Sequence, residues 1–140
     1  MLVVVHPGSA CGSADFNLGM IEGARARERL ARTISSWAGD IIVVDGELSD
    51  ELNVYAHLGL AIANAETAGK VTRVSADAGE PTWADHASSI IKSRLKDGKV
   101  HLTGAWHHGD GSDGCIDHLA RILKAAFKVD SEVLACSLTL

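Results

Sequence analysis

Apolar residues fall along this chain in two rhythms. Short unbroken runs, LVVV at 2–5 and IIVV at 41–44, are rich in β-branched side chains, the mark of strands buried on both faces. Longer segments repeat apolar residues every three or four positions, which marks helices with one covered side. Leu18, Ile21, Leu30 and Ile34 form one such series; Leu52, Tyr55, Leu58 and Ile62 form a second; Ile116, Leu119, Ile122 and Leu123 form another.

These rhythms predict a strand at 2–5, a loop at 6–16 and a helix at 17–37 closed by Gly39. A strand at 41–44 ends in Asp45-Gly46. A helix capped by Ser49 or Asp50 then runs to about Ala68, with Gly69 behind it. A third strand covers 70–76, and the loop DAGEP follows. Thr82 and Asp85 resemble a capping box opening a helix that ends near Gly98. A strand at 100–105, a glycine loop, a helix at 115–127 and a strand at 132–138 complete the chain.

Strands and helices alternate, with no repeat and no linker. The expected fold is a single α/β domain over 1–140: a doubly wound, parallel, five-stranded sheet with helices on both faces. Ligands in such sheets bind beyond the strand carboxyl ends, where the winding reverses. The segments after the first and fourth strands hold most of the unusual chemistry. They become neighbours in the order 3-2-1-4-5, which is therefore the expected order.

Composition narrows the class. The formal charge of −5 argues against a nucleic-acid partner. Arg25, Arg27, Arg29 and Arg32 are interleaved with Glu22 and Glu28 and read as a solvated helix face. No apolar run has membrane-spanning length, and MLVVVHPG lacks the basic start of a signal peptide, so no membrane partner is expected. Three cysteines, Cys11, Cys115 and Cys136, form no disulfide framework and suit a reducing cytoplasm.

Two stretches carry candidate chemistry. HPGSACGSADFN offers His6, Ser9, Cys11, Ser13 and Asp15 ahead of a helix N-terminus, and reads either as a tight turn or as an anion site. It has neither the lysine of a phosphate-binding P-loop nor the pattern GxGxxG. WHHGDGSDGC ends in Cys115 at the start of a helix, where a thiolate is stabilised. His107, His108 or Asp113 would serve it as base or orienting group; otherwise Cys115 is a small core residue. Cys115 and His118, with His107 or His108 or with Cys11, also make a possible zinc set, although neither CxxC nor HExxH is present. No cofactor is assigned. Asp45 and Asp77 end strands, where an aspartate binds a ribose hydroxyl or starts a turn. Cys136 reads as core.

Residues 100–135, VHLTGAWHHGDGSDGCIDHLARILKAAFKVDSEVLA, resemble the corresponding part of isochorismatase-like cysteine hydrolases. The resemblance implies a parallel α/β sheet with the nucleophile at Cys115. Elsewhere the chain departs from that family. His6 stands where an aspartate is expected after the first strand, and Asp15 replaces it only if the loop folds back. DAGEPTW supplies no lysine, and the chain is short for the family.

The leading expectation is a cytoplasmic enzyme acting on a small polar or anionic molecule by thiol-dependent hydrolysis. Cys115 would attack a carbonyl-like carbon, His107 or His108 would relay protons, and the Gly114 and Cys115 amides would hold the oxyanion. The alternatives are a non-catalytic ligand-binding or regulatory module of the same fold, and a zinc-binding protein. The helix over 49–68 carries more apolar positions than one stripe needs, Val54 and Leu60 among them, so a two-fold homodimer through it is also expected.

Overall fold

A computed structural model describes residues 1–46, 56–96, 98–110 and 112–140, apart from the side chains of Cys11 and Ala56. In chain order the elements are β1 (Leu2–Val5), α1 (Pro7–Leu18), α2 (Met20–Ser36), β2 (Ile41–Asp45), α3 (Ala56–Thr67), β3 (Val71–Ser75), α4 (Trp83–Arg94), β4 (Val100–His107), α5 (Cys115–Phe127), β5 (Ser131–Val133) and β6 (Leu138–Thr139).

The sheet order is β3-β2-β1-β4-β5, and every pairing is parallel. β1 lies beside β4, with Val5 opposite Gly104, which is the expected order, although the residues of the two following segments gather in separate clusters. Each residue of β1 is fully buried because alternate side chains serve opposite faces. Leu2 and Val4 pack with Ile41, Val43 and the buried sides of α1, α2 and α3. Val3 and Val5 pack with Ile42, Val44 and the buried sides of α4 and α5. Helices therefore cover both faces.

The segment after β1 is not a loop. α1 begins at once with Pro7, whose missing amide needs no partner in a first turn and whose φ is already helical. Gly8 and Gly12 lower intrinsic helix propensity. Tertiary packing outweighs that cost: Ala10 and Ala14, one turn apart, are fully buried against the sheet. The expected single helix is divided at Gly19, whose φ of 84° suits glycine. α2 then folds back along α1.

Three further boundaries differ from expectation. β4 runs on to His107, because its last residues pair with β6. The last strand is interrupted: residues 134–137 turn between β5 and β6, with the Ser137 amide donating to the Leu134 carbonyl. Cys136 is on that turn, half-buried, with its Sγ 3.1 Å from Thr103 Oγ1. Thr82 precedes α4 but makes no side-chain cap, so the expected capping box is not formed. The first part of the helix expected over 49–68 lies outside the described residues, as does Val54; Leu60 of α3 is 58% exposed. Among the described residues no helix is long and apolar enough to cross a membrane.

Candidate functional site

The carboxyl ends of β1, β2 and β3 frame a cleft of about 490 Å³ lined by His6, Ser9, Asp45, Asp77 and Glu80, with Gly46, Ser75 and Ala78. His6 is the pivot. Its amide continues the β1 ladder to the Val44 carbonyl at 2.7 Å, and its own carbonyl accepts from Ser9 and Ala10 as α1 begins. Turning from strand to helix without a spacer puts His6 in the left-handed region, at φ 45° and ψ 58°. A non-glycine residue there costs on the order of 1 kcal/mol or more.

The His6 ring is 2% exposed. It lies 4.6 Å from the buried Trp83 ring, centroid to centroid. Its Nε2 is 2.9 Å from the Ala76 carbonyl beyond β3. A carbonyl only accepts, so Nε2 carries the proton. In the neutral ring Nδ1 is then left with a lone pair, and it has no partner among the described residues. A buried acceptor without a donor is costly, which makes this nitrogen of a cleft-lining residue conspicuous.

Asp45 sits at the end of β2. Its Oδ2 accepts from the Gly8 amide at 2.9 Å, and its Oδ1 accepts from the Gly46 amide at 2.9 Å. A side chain on Gly8 would crowd this carboxylate, so the glycine serves close approach. Burial pushes the Asp45 carboxyl up from its ordinary value, and nearby Asp77 adds to the rise; the two amides and the charge of His6 oppose it. Asp77 Oδ1 accepts from the Gly79 amide at 2.8 Å, in a turn. Among the described residues no lysine or arginine lines the cleft. Arg73 lines a neighbouring hollow and is paired with Glu66 of α3.

A second cluster forms where β4 passes into α5. Asp117, on the first turn of α5, gathers it. Its Oδ1 is 2.6 Å from His107 Nδ1, and its Oδ2 accepts from the amides of His108 at 2.8 Å and Gly114 at 3.2 Å. Burial pulls the Asp117 carboxyl upward, but these hydrogen bonds together hold it below the ordinary carboxylate range. A carboxylate accepts from His107 Nδ1–H, so the lone pair of a neutral His107 is on Nε2. His108 Nδ1 is 2.7 Å from Ser112 Oγ, which donates to Asp110 Oδ1 at 2.6 Å.

Cys115 opens α5 as expected, but it packs against the core beside Ile116 and Leu119. Burial pushes its thiol up, away from the thiolate that a helix start favours. Among the described residues nothing hydrogen-bonds to it. His118 is 2.8 Å from Arg121, and its ring lies 5.8 Å from that of Trp83 at a tilt of 58°; Trp83 also neighbours His6. Trp83 thus stands between the two clusters.

The sequence-predicted residues divide accordingly. His6, Ser9 and Asp45 meet in the cleft. Ser13 lies a turn along α1 from Ser9, to whose carbonyl it donates. Asp15 is farther along α1, in an ion pair with Arg27 of α2 at 2.8 Å. The chain does not fold back there, so Asp15 does not take the place of a strand-end aspartate. Cys11 is in α1; its side chain lies outside the described residues. Asp113 is paired with Arg121 on the surface of α5. His107 and His108 adjoin Cys115 in sequence but are engaged by Asp117 and Ser112. Among the described residues no three His, Cys, Asp or Glu side chains stand where they could hold a metal ion.

Asp117 and Glu80 were missed. An acidic residue three places after Gly114 is the half of a capping box that sequence could have shown. Glu80 carries no such signal.

Comparison with protein-family models, with curated proteins and with solved structures finds no match to this chain.

Proposed function

We propose that the protein binds a small polar molecule in the cleft at the ends of β1, β2 and β3. One observation carries this reading: His6, buried and with Nδ1 lacking a partner among the described residues, lines a cleft that also presents Asp45, Asp77 and Glu80. A ligand that donates hydrogen bonds would satisfy these acceptors. Several polar groups converging in a concave site at strand carboxyl ends is what ligand sites of this fold class have in common. A larger hollow of about 870 Å³ between α2 and α3 also carries polar side chains, Arg27, Glu28, Arg32 and His57 among them, but among the described residues none of its lining holds a buried side-chain atom without a partner.

The test is thermal unfolding against a panel of polyols, amines, amino acids and nucleosides. A ligand of the native state alone raises stability with its concentration, by about 2.7 kcal/mol at a hundredfold excess over Kd. At least one compound is expected to raise Tm in the wild type and not in an Asp77→Asn/Glu80→Gln variant. Equal responses of the two proteins across the panel would remove the cleft from consideration.

A second reading is thiol-dependent hydrolysis at Cys115. It is favoured by the position of Cys115 at the first turn of α5 and by the His107–Asp117 pair. The thiolate would add to a carbonyl carbon and expel the leaving group; water would then release the acid and restore the thiol. The upward push on the thiol works against it.

A further inference from the structure

The start of α1 is where an anion is ordinarily held in this fold class, by free amides and the positive end of the helix dipole. Here that place is taken. The Gly8 amide donates to Asp45, so the chain's own carboxylate serves the helix end. An incoming phosphate or carboxylate would meet Asp45, Asp77 and Glu80 with no lysine or arginine in the lining to offset them.

We infer, on the reading that this cleft is the ligand site, that its ligand is an organic cation bearing an amine or guanidinium group. Three features support this. Asp45 and Asp77 repel one another across the cleft, and a cation between them relieves that repulsion. Among the described residues each Asp45 oxygen accepts one amide hydrogen, so lone pairs remain for further donors. His6 lines the same cleft; in its neutral ring Nε2 carries the proton toward Ala76, so the buried Nδ1, without a partner among the described residues, is an acceptor. Three carboxyl side chains, beside the hydroxyls of Ser9 and Ser75 and with no lysine or arginine among the described lining residues, match a group that is positively charged and donates. An ammonium supplies three donors and a guanidinium five.

The experiment is an amide-resolved NMR titration of the whole chain with three probes: agmatine, D-ribose and inorganic phosphate. Agmatine is expected to shift the Gly8, Gly46 and Gly79 amides and the His6 ring protons saturably. Ribose and phosphate are expected to leave them in place. Removing charge-assisted bonds in Asp77→Asn/Glu80→Gln should weaken agmatine roughly tenfold or more. Both side chains are exposed, so the variant should fold, and an unchanged amide spectrum elsewhere checks that it does. Saturable shifts with ribose or phosphate and none with agmatine would overturn the cation while leaving the cleft as a site. Silence of these resonances with all three probes would overturn both. Agmatine binding unaffected by the double substitution would assign the cation to another surface and overturn the inference.

Discussion

The backbone amide of Gly8 donates to Asp45 Oδ2 at 2.9 Å, tying the first turn of α1 to the end of β2. One bond thereby gives the helix start a carboxylate partner, and that carboxylate is one of the three acidic side chains of the cleft. Asp45 also accepts from Gly46, so its removal leaves two amides without their acceptor. Asp45→Ala should destabilise the fold by about 1–3 kcal/mol, and Asp45→Asn, which keeps one acceptor oxygen, by about 1 kcal/mol. Urea unfolding measures both. Equal stability of Asp45→Ala and the wild type would show that the amides find other partners.

The sign of the Asp45 pH effect follows from its raised carboxyl. The native state holds this proton more tightly than the unfolded chain, so the Asp45 contribution to stability falls as pH rises from the ordinary carboxylate value of 3.8 through the higher native value. Asp117 has the opposite sign. Its lowered carboxyl contributes stability above the unfolded value, and that contribution is lost as pH falls through the native one. Subtracting the unfolding free energy of Asp45→Asn from that of the wild type, pH by pH, should give a difference that declines on the alkaline side of 3.8. The same subtraction for Asp117→Asn should give one that declines on the acid side of 3.8. A shared direction would refute one of the two assignments.

Cys115 provides a separate check. In a Cys11→Ser/Cys136→Ser variant, the rate of alkylation should rise with a midpoint above about 8.5, the free-thiol value. Burial is the reason. A midpoint near or below neutrality would restore Cys115 as a nucleophile and favour the hydrolytic reading over ligand binding.

The excess apolar positions of the sequence over 49–68 bear on assembly. Leu60 is 58% exposed on α3. A two-fold contact through α3 would make the wild type dimeric at tens of micromolar, roughly where modest interfaces associate. Leu60→Asp would then sediment as a monomer. A wild type that is monomeric at that concentration would contradict the contact.

The layers and strand order were legible because buried strands and amphipathic helices have distinct periods. The unbroken run at 2–5 had to be a central strand, and Cys115 at a helix start was evident from Ile116, Leu119 and Leu123 behind it. α1 was not legible. Its glycines and serines look like a loop, and only the burial of Ala10 and Ala14 against the sheet makes it helical. That one element decided the site. Written as a loop, residues 6–16 put Ser13 and Asp15 on the rim; as a helix, they carry Asp15 to Arg27 and leave His6 and Ser9 behind. The acidity of the cleft was also hidden, because Asp45, Asp77 and Glu80 are brought together only by the pairing of β2 with β3.

The most direct measurement is a crystallographic screen with a chemically mixed set of small polar fragments, since it reads position as well as binding. Fragments should accumulate between His6, Asp45, Asp77 and Glu80, with a donor group on His6 Nδ1 or on a carboxylate oxygen. Occupancy concentrated at Cys115 or between α2 and α3, with the cleft filled only by solvent, would contradict the account.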